Sequence, residues 1–170
     1  MRIITGSARG CRLKAPPGEA TRPTADRTRE ALFSMLGSRV MDAQVLDLFA
    51  GTGALALEAL SRGAAHAVMI DRATYDVLVE NARRTKLAQR VELRRGDVYG
   101  HAAELARAGH TFDLIFADPP YAKGDALRVL RAVDSGVLLA ADGLFVLEQG
   151  AGEECAEHVG ALSLIRERRY

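Results

Sequence analysis

Residues 44–62 read QVLDLFAGTGALALEALSR, and the order of residue types in that stretch decides the architecture. Residues 44–49 form a short, largely apolar run of the kind that builds a strand covered on both faces. Gly51 and Gly53 interrupt it, and alanines and leucines then recur at helical spacing until Gly63. The same alternation continues downstream. Strands are expected at 65–71, 90–95, 112–118 and 144–149, with a sixth at 161–167. Helices are expected at 73–87, 99–109 and 124–133. Alternating units of this length predict an α/β fold, a mainly parallel sheet with helices on both faces.

Upstream of the alternation, RIIT and CRLKA flank the turn residues GSARG, so residues 2–15 read as a small N-terminal β-hairpin. PPGEATRP is a loop by composition, and Ala31, Leu32, Met35 and Leu36 mark a helix over 26–36. The expectation is one domain over 1–170, with 1–22 as a basic extension. Eight Lys/Arg against three acids give residues 1–40 a net charge of +5, while the remaining 130 residues carry −4. A basic arm on a mildly acidic body suits a polyanionic partner met by the N-terminus.

Hydrophobic and charged fractions of 48% and 26% fit a soluble globular chain, and no apolar run nears the roughly 18 residues that would span a bilayer. Residues 1–10 lack the apolar core of a secretory signal. Cys11 and Cys155 form no disulfide or zinc pattern, and the four histidines show no metal-ligand spacing. The expectations are a cytoplasmic, monomeric protein with no metal and no membrane partner.

Chemistry concentrates at the strand ends. Asp47, Ala50, Gly51 and Gly53 form a loop between strand and helix where backbone can approach a ligand and helical N–H groups face outward. Asp71 closes the second strand, 18 residues after Gly53, where a carboxylate can accept ribose hydroxyls. Asp97 closes the third, a place to meet an adenine edge. Gly51-x-Gly53-x-x-Ala56 also matches the tolerant dinucleotide fingerprint, so an NAD-type oxidoreductase remains an alternative. Asp47 argues against it: a carboxylate four residues before the first glycine repels a pyrophosphate and welcomes a cationic amino-acid end. That favours S-adenosylmethionine (AdoMet).

The fourth strand ends in Asp118-Pro119-Pro120-Tyr121. Two prolines stiffen the turn and remove two N–H groups. The Asp118 carboxylate and the Pro119 carbonyl can each accept a hydrogen from an exocyclic amine, and Tyr121 offers a face to a flat base.

With these motifs in order, the chain resembles the class I AdoMet-dependent methyltransferases that modify exocyclic amino groups. The segment RIITGSARGCRL…TRPTADRTREALFSML narrows the resemblance to the RsmD type, the 16S rRNA (guanine-N2)-methyltransferases. It implies a Rossmann-like fold, AdoMet as cofactor and 16S rRNA or the small ribosomal subunit as partner. It further implies that Asp47, Ala50, Gly51 and Gly53 hold the methionine moiety, Asp71 the ribose and Asp97 the adenine amine. Asp118, Pro119, Pro120 and Tyr121 would hold the guanine. Thr24 and Arg27 would reach the cofactor, and Arg2, Arg9, Arg12, Lys14, Arg22 and Arg29 would face RNA. Adenine N6 and a protein glutamine amide are alternative acceptors. Members of the family it resembles usually continue beyond the RRY at 168–170 into a final strand, so either a trimmed C-terminus or an incomplete last hairpin is expected here.

Overall fold

In the computed structural model, residues 1–17, 23–120, 124–135, 137–150 and 155–169 are described. Helix α1 (Pro23–Leu36) starts three residues before its expected onset, because a proline is well suited to the first helical position. A 3-10 turn (Gly37–Val40) leads into β1 (Gln44–Leu48), α2 (Ala54–Ser61), β2 (His66–Asp71), α3 (Tyr75–Arg84) and β3 (Val91–Arg95). Next come α4 (Val98–Arg107), β4 (Phe112–Ala117), α5 (Asp125–Ser135) and β5 (Leu139–Leu147). These five strands form one wholly parallel sheet in the order β3-β2-β1-β4-β5.

The order follows from the chain running outward twice. It goes from β1 through β2 to β3, then returns across the sheet to β4 and β5 on the other side of β1. That reversal opens a crevice beyond the carboxyl ends of β1 and β4, where ligands bind in open α/β sheets. Strand alternation sends Val45, Met69, Leu114 and Phe116 to one face, with α1, α2, α3 and the N-terminal hairpin. It sends Leu46, Leu48, Val68, Ile70 and Ile115 to the other, against Val98, Leu105, Val129 and Val133 of α4 and α5. Both faces of the central strands β1, β2 and β4 are therefore dry, which explains why they carry so little polar punctuation, while the edge strands β3 and β5 are only partly buried.

Two expectations change. The strand expected at 161–167 is not part of this sheet. Only Leu162–Ser163 (β7) pairs, antiparallel with His158–Val159 (β6), as a separate ribbon. β5 begins at Leu139, five residues before the expected start, because its early residues pair with Phe112 across a register shift. The N-terminal hairpin is present but narrow, with one antiparallel bridge, Arg2 to Arg12. It is no free arm: Ile3, Ala8 and Leu13 are buried in the same core as α1 and α2.

Candidate active site

The glycine loop is braced from α3 and β2. Gly51 and Gly53 have φ of +57° and +77°, and the Gly53 N–H closes the turn on the Ala50 carbonyl at 2.7 Å. The Asp71 carboxylate accepts from Gly51 N (3.0 Å), Ala73 N (2.8 Å) and Thr74 N (2.9 Å), tying the loop to the start of α3. Thr74 Oγ1 donates to the Gly51 carbonyl at 2.7 Å. Asn81 Nδ2 donates to the Thr52 carbonyl at 2.9 Å. A trans peptide points its C=O and N–H in opposite directions, so pinning successive carbonyls toward α3 fixes where the loop's amides can point. Asp71 thus has a bracing role beside the ribose role expected of it.

Beneath this loop lies Asp47, 3% exposed, with Ala56 N donating to its Oδ2 at 3.3 Å. Burial pushes its carboxyl up to about 8, against the pull of that backbone N–H, and the Asp118 and Asp71 charges push the same way. A buried carboxyl with one long hydrogen bond is a site that a cation would convert to its charged form. Asp97 caps α4, accepting from Gly100 N at 2.8 Å. Close by in the chain, Tyr99 meets Phe49 edge to face at 6.0 Å and carries the Arg128 guanidinium 3.7 Å from its ring centroid.

Register places the other half of the crevice. Leu48 pairs with Ala117, so the glycine loop and the Asp118-Pro119-Pro120 turn leave adjacent strand ends. Asp47 pairs with Phe116, two residues before Asp118, so both acids leave their strands on the same side of the sheet. Pro119 is buried and Pro120 exposed. Desolvation, then the Glu148 charge, raises the Asp118 carboxyl to about 7. Because that side chain keeps a face to water, solvent screens part of the effect. Tyr121 lies outside the described residues.

The basic segment divides. Arg2, Arg9, Arg12 and Lys14 are exposed on the hairpin and form no ion pair among the described residues. Arg2 and Arg12 are cross-strand partners, a like-charge pairing that costs stability unless an anion neutralises it. Arg27 is exposed and lines a groove of about 440 Å³ with Arg2 and Arg9, which groups it with the hairpin arginines rather than with the crevice carboxylates. Arg29 is a correction. It is 4% exposed, pairs with Asp26 at 3.0 Å and Glu58 at 3.7 Å, and donates to the Arg2 carbonyl, so its charge is committed inside the protein. Arg22 lies outside the described residues, as does the side chain of Thr24.

Three important polar residues were not anticipated. Glu58, fully buried on α2, accepts from Ile4 N (2.8 Å), Thr5 N (3.0 Å) and Arg62 Nε (2.8 Å), fastening the hairpin to the domain. Asn81 also bonds both backbone groups of Lys14, accepting from its N at 2.7 Å and donating to its O at 2.9 Å. One buried amide therefore joins the hairpin's end to the glycine loop. Glu148 follows β5 beside Asp118. A glutamate and a serine three residues apart in the apolar ALALEALS of α2 were the available signal, since polar side chains on a buried helix require partners.

Known proteins of this shape share much of the sequence. YlbH of Bacillus subtilis, provisionally named an rRNA methyltransferase, is 37% identical over 174 residues, covering 100% of this chain and 94% of that one. Ribosomal RNA small subunit methyltransferase D of Escherichia coli K12 is 38% identical over 150 residues, 87% of this chain and 74% of that one. The solved structure of yhhF from Escherichia coli superposes with a TM-score of 0.82 at 37% identity, covering 95% of this chain and 86% of that one. A more distant neighbour, SMU.776, was solved with S-adenosylhomocysteine; it is 25% identical with a TM-score of 0.61, over 74% of this chain and 35% of that one. The family model described as Conserved hypothetical protein 95 matches residues 1–170, and the chain belongs to that family.

Proposed function

We propose that this protein methylates the exocyclic N2 amine of a guanine in 16S small-subunit rRNA, using AdoMet, as a cytoplasmic monomer. The observation that carries the reading is the register of β1 and β4, which sets the Asp47 loop and the Asp118-Pro119 turn at neighbouring strand ends. The relatives named for small-subunit rRNA methylation, and the S-adenosylhomocysteine held by a neighbour of the fold, support it.

The residues fit the cofactor. Asp47, buried and short of donors, suits the ammonium of the methionine end, with the backbone of Ala50, Gly51 and Gly53 above it. Asp71 stands at the β2 end for the ribose and Asp97 at the β3 end for the adenine amine. When bound, AdoMet supplies a methyl group on a sulfonium, an electrophile that needs no further activation. What the protein contributes is position, an effect able to supply roughly 7–11 kcal/mol. Asp118 and the Pro119 carbonyl accept the two amine hydrogens and hold the nitrogen's lone pair toward the cofactor side. With its carboxyl raised toward neutrality, Asp118 also suits the proton that the amine sheds once methylated. A looped guanine avoids the few kcal/mol of leaving a stack, so a loop nucleotide is the expected target.

Asp118→Ala should abolish methyl transfer to small subunits while leaving AdoMet affinity within about threefold by calorimetry. Equal loss of both would contradict the assigned role. Identifying the labelled product nucleoside separates guanine N2 from adenine N6, and label in protein would instead favour a glutamine amide. Replacing Arg2, Arg9 and Arg12 should flatten the salt dependence of RNA binding by roughly 0.9 in slope per lost duplex phosphate contact.

A further inference from the structure

Beside the Asp118-Pro119 turn stands an acid that belongs to no motif. β4 and β5 run parallel with Ala117 opposite Leu147, and the Glu148 N–H donates to the Ala117 carbonyl at 2.9 Å. The next residue on each strand is a carboxylate, Asp118 on one and Glu148 on the other. Ala117 and Leu147 pack on the α4–α5 side of the sheet, so alternation turns residues 118 and 148 to the opposite side, the side of Asp47. Glu148 is exposed there, and Asp118 feels its charge.

Two acceptors side by side are complementary to a ligand edge with adjacent donors. The candidate amines differ in this respect. Guanine follows its N2 amine with N1–H, a second donor. Adenine follows N6 with the N1 lone pair, cytosine follows N4 with the N3 lone pair, and a glutamine amide follows its nitrogen with a carbonyl oxygen. A carboxylate at that second position completes a hydrogen bond with guanine alone and opposes a lone pair in the other three.

We propose that Glu148 is the specificity-determining residue of the amine pocket. It accepts the N1–H of the target guanine while Asp118 and the Pro119 carbonyl hold the N2 hydrogens. This inference rests on the guanine reading above. It explains how a turn chemistry that tolerates several amines is restricted to one: the first acid grips the nitrogen to be methylated, and the second reads the atom next to it.

The test uses 2-aminopurine, which keeps the N2 amine and presents a lone pair at N1. The nucleotide methylated by the wild-type protein is mapped first. It is then placed in ligated small-subunit rRNA as guanine or as 2-aminopurine, and initial rates are measured on naked and assembled RNA. Wild type should prefer guanine by ~100-fold or more, as a site built around a substrate N–H rejects an analogue lacking it. Glu148→Gln, whose amide can donate to N1 as readily as accept from N1–H, should bring the two rates within about tenfold. Equal rates for the two bases with wild-type protein would overturn the inference while leaving guanine methylation standing, and that comparison needs no variant to fold. An unchanged preference in Glu148→Gln would overturn it equally. No N2-methylguanine from wild type would remove the functional reading and this inference together.

Discussion

Replacing Glu58 with glutamine should cost about 3 kcal/mol of stability, because a buried ion pair loses one partner while the other stays buried. The carboxylate is fully buried and its two oxygens serve four donors. Oε2 takes Ile4 N at 2.8 Å and faces Arg29 Nε at 3.7 Å, while Oε1 takes Thr5 N at 3.0 Å and Arg62 Nε at 2.8 Å. Glutamine keeps the shape, but one oxygen becomes an NH2 that confronts donors on either side. Among the described residues Arg29 Nε has no hydrogen-bond partner even in the wild-type protein, so the guanidinium depends on the Glu58 charge at that end. Losing one member of a buried pair costs ~3–5 kcal/mol. Arg29 retains Asp26 at 3.0 Å and the Arg2 carbonyl, which places the expectation at the low end. With a urea dependence of about 2 kcal/mol per molar, the unfolding midpoint should fall by roughly 1.5 M. Hydrogen exchange at the Ile4 and Thr5 amides should accelerate more than in the sheet, since these are the groups released. A midpoint within about 0.3 M of wild type, with both amides still protected, would refute the claim that this carboxylate anchors the hairpin.

Asp47→Asn should stabilise the cofactor-free protein above pH 7 and weaken AdoMet binding at least tenfold. The carboxyl titrates near 8 when folded against 3.8 as a free group, so the wild-type protein loses stability as pH rises from about 4 through 8. Urea midpoints across that range should slope downward in wild type and flatten in the variant, and parallel slopes would count against the assignment. Methyl transfer at subsaturating RNA should rise with pH through about 7 as Asp118 becomes a full acceptor. A rate flat between pH 6 and 8 would show that the Asp118 charge state is irrelevant. Asn81→Asp keeps the acceptor for Lys14 N and removes the two donors to the Lys14 and Thr52 carbonyls. It should weaken AdoMet and RNA binding together, whereas loss of one alone would break the link drawn between hairpin and loop.

How far the sequence led differs between backbone and side chains. The sheet was legible because its central strands β1, β2 and β4 are covered on both faces, which forces apolar runs of strand length, and Gly51, Gly53 and Pro119-Pro120 punctuate β1 and β4 at the ends where ligands bind. The failures have a common cause. Arg29 follows the exposed Arg27 by two residues in RPTADRTRE and nothing local marks it as the one turned inward; its partner Glu58 is 29 residues away. Asn81 bonds residues 67 and 29 positions distant, so no window along the chain contains its role. Glu148 acquires meaning only from the register of β5 against β4, which periodicity does not give. The mistaken sixth strand shows the converse: ALSLIRE has strand composition, but Leu164 and Ile165 are exposed and only two residues pair.

The stored cost of this site explains why the hairpin is fastened so firmly. Asp47, Asp71, Asp118 and Glu148 leave their strands on one side of the sheet, and two of them carry raised carboxyl pKa values. A cluster of acids at strand ends repels itself in the free protein; backbone N–H groups offset part of this at Asp71 and Asp47, and arriving cations and amine hydrogens relieve more of it. Such a site is destabilising by construction, so the surrounding scaffold has to hold it open. The ties run outward from the crevice: Asp71 and Thr74 to Gly51, Asn81 to Thr52 and onward to Lys14, Glu58 to Ile4 and Thr5. Each uses a side chain nearly or partly removed from water to fix a backbone group, where a hydrogen bond resists competition best. The negative crevice and the positive hairpin thus sit on one braced frame, with charges opposite to those of the cofactor and of an RNA backbone respectively. A substrate that joins a polyanionic strand to a donor-rich base edge satisfies both at once, and neither half alone does.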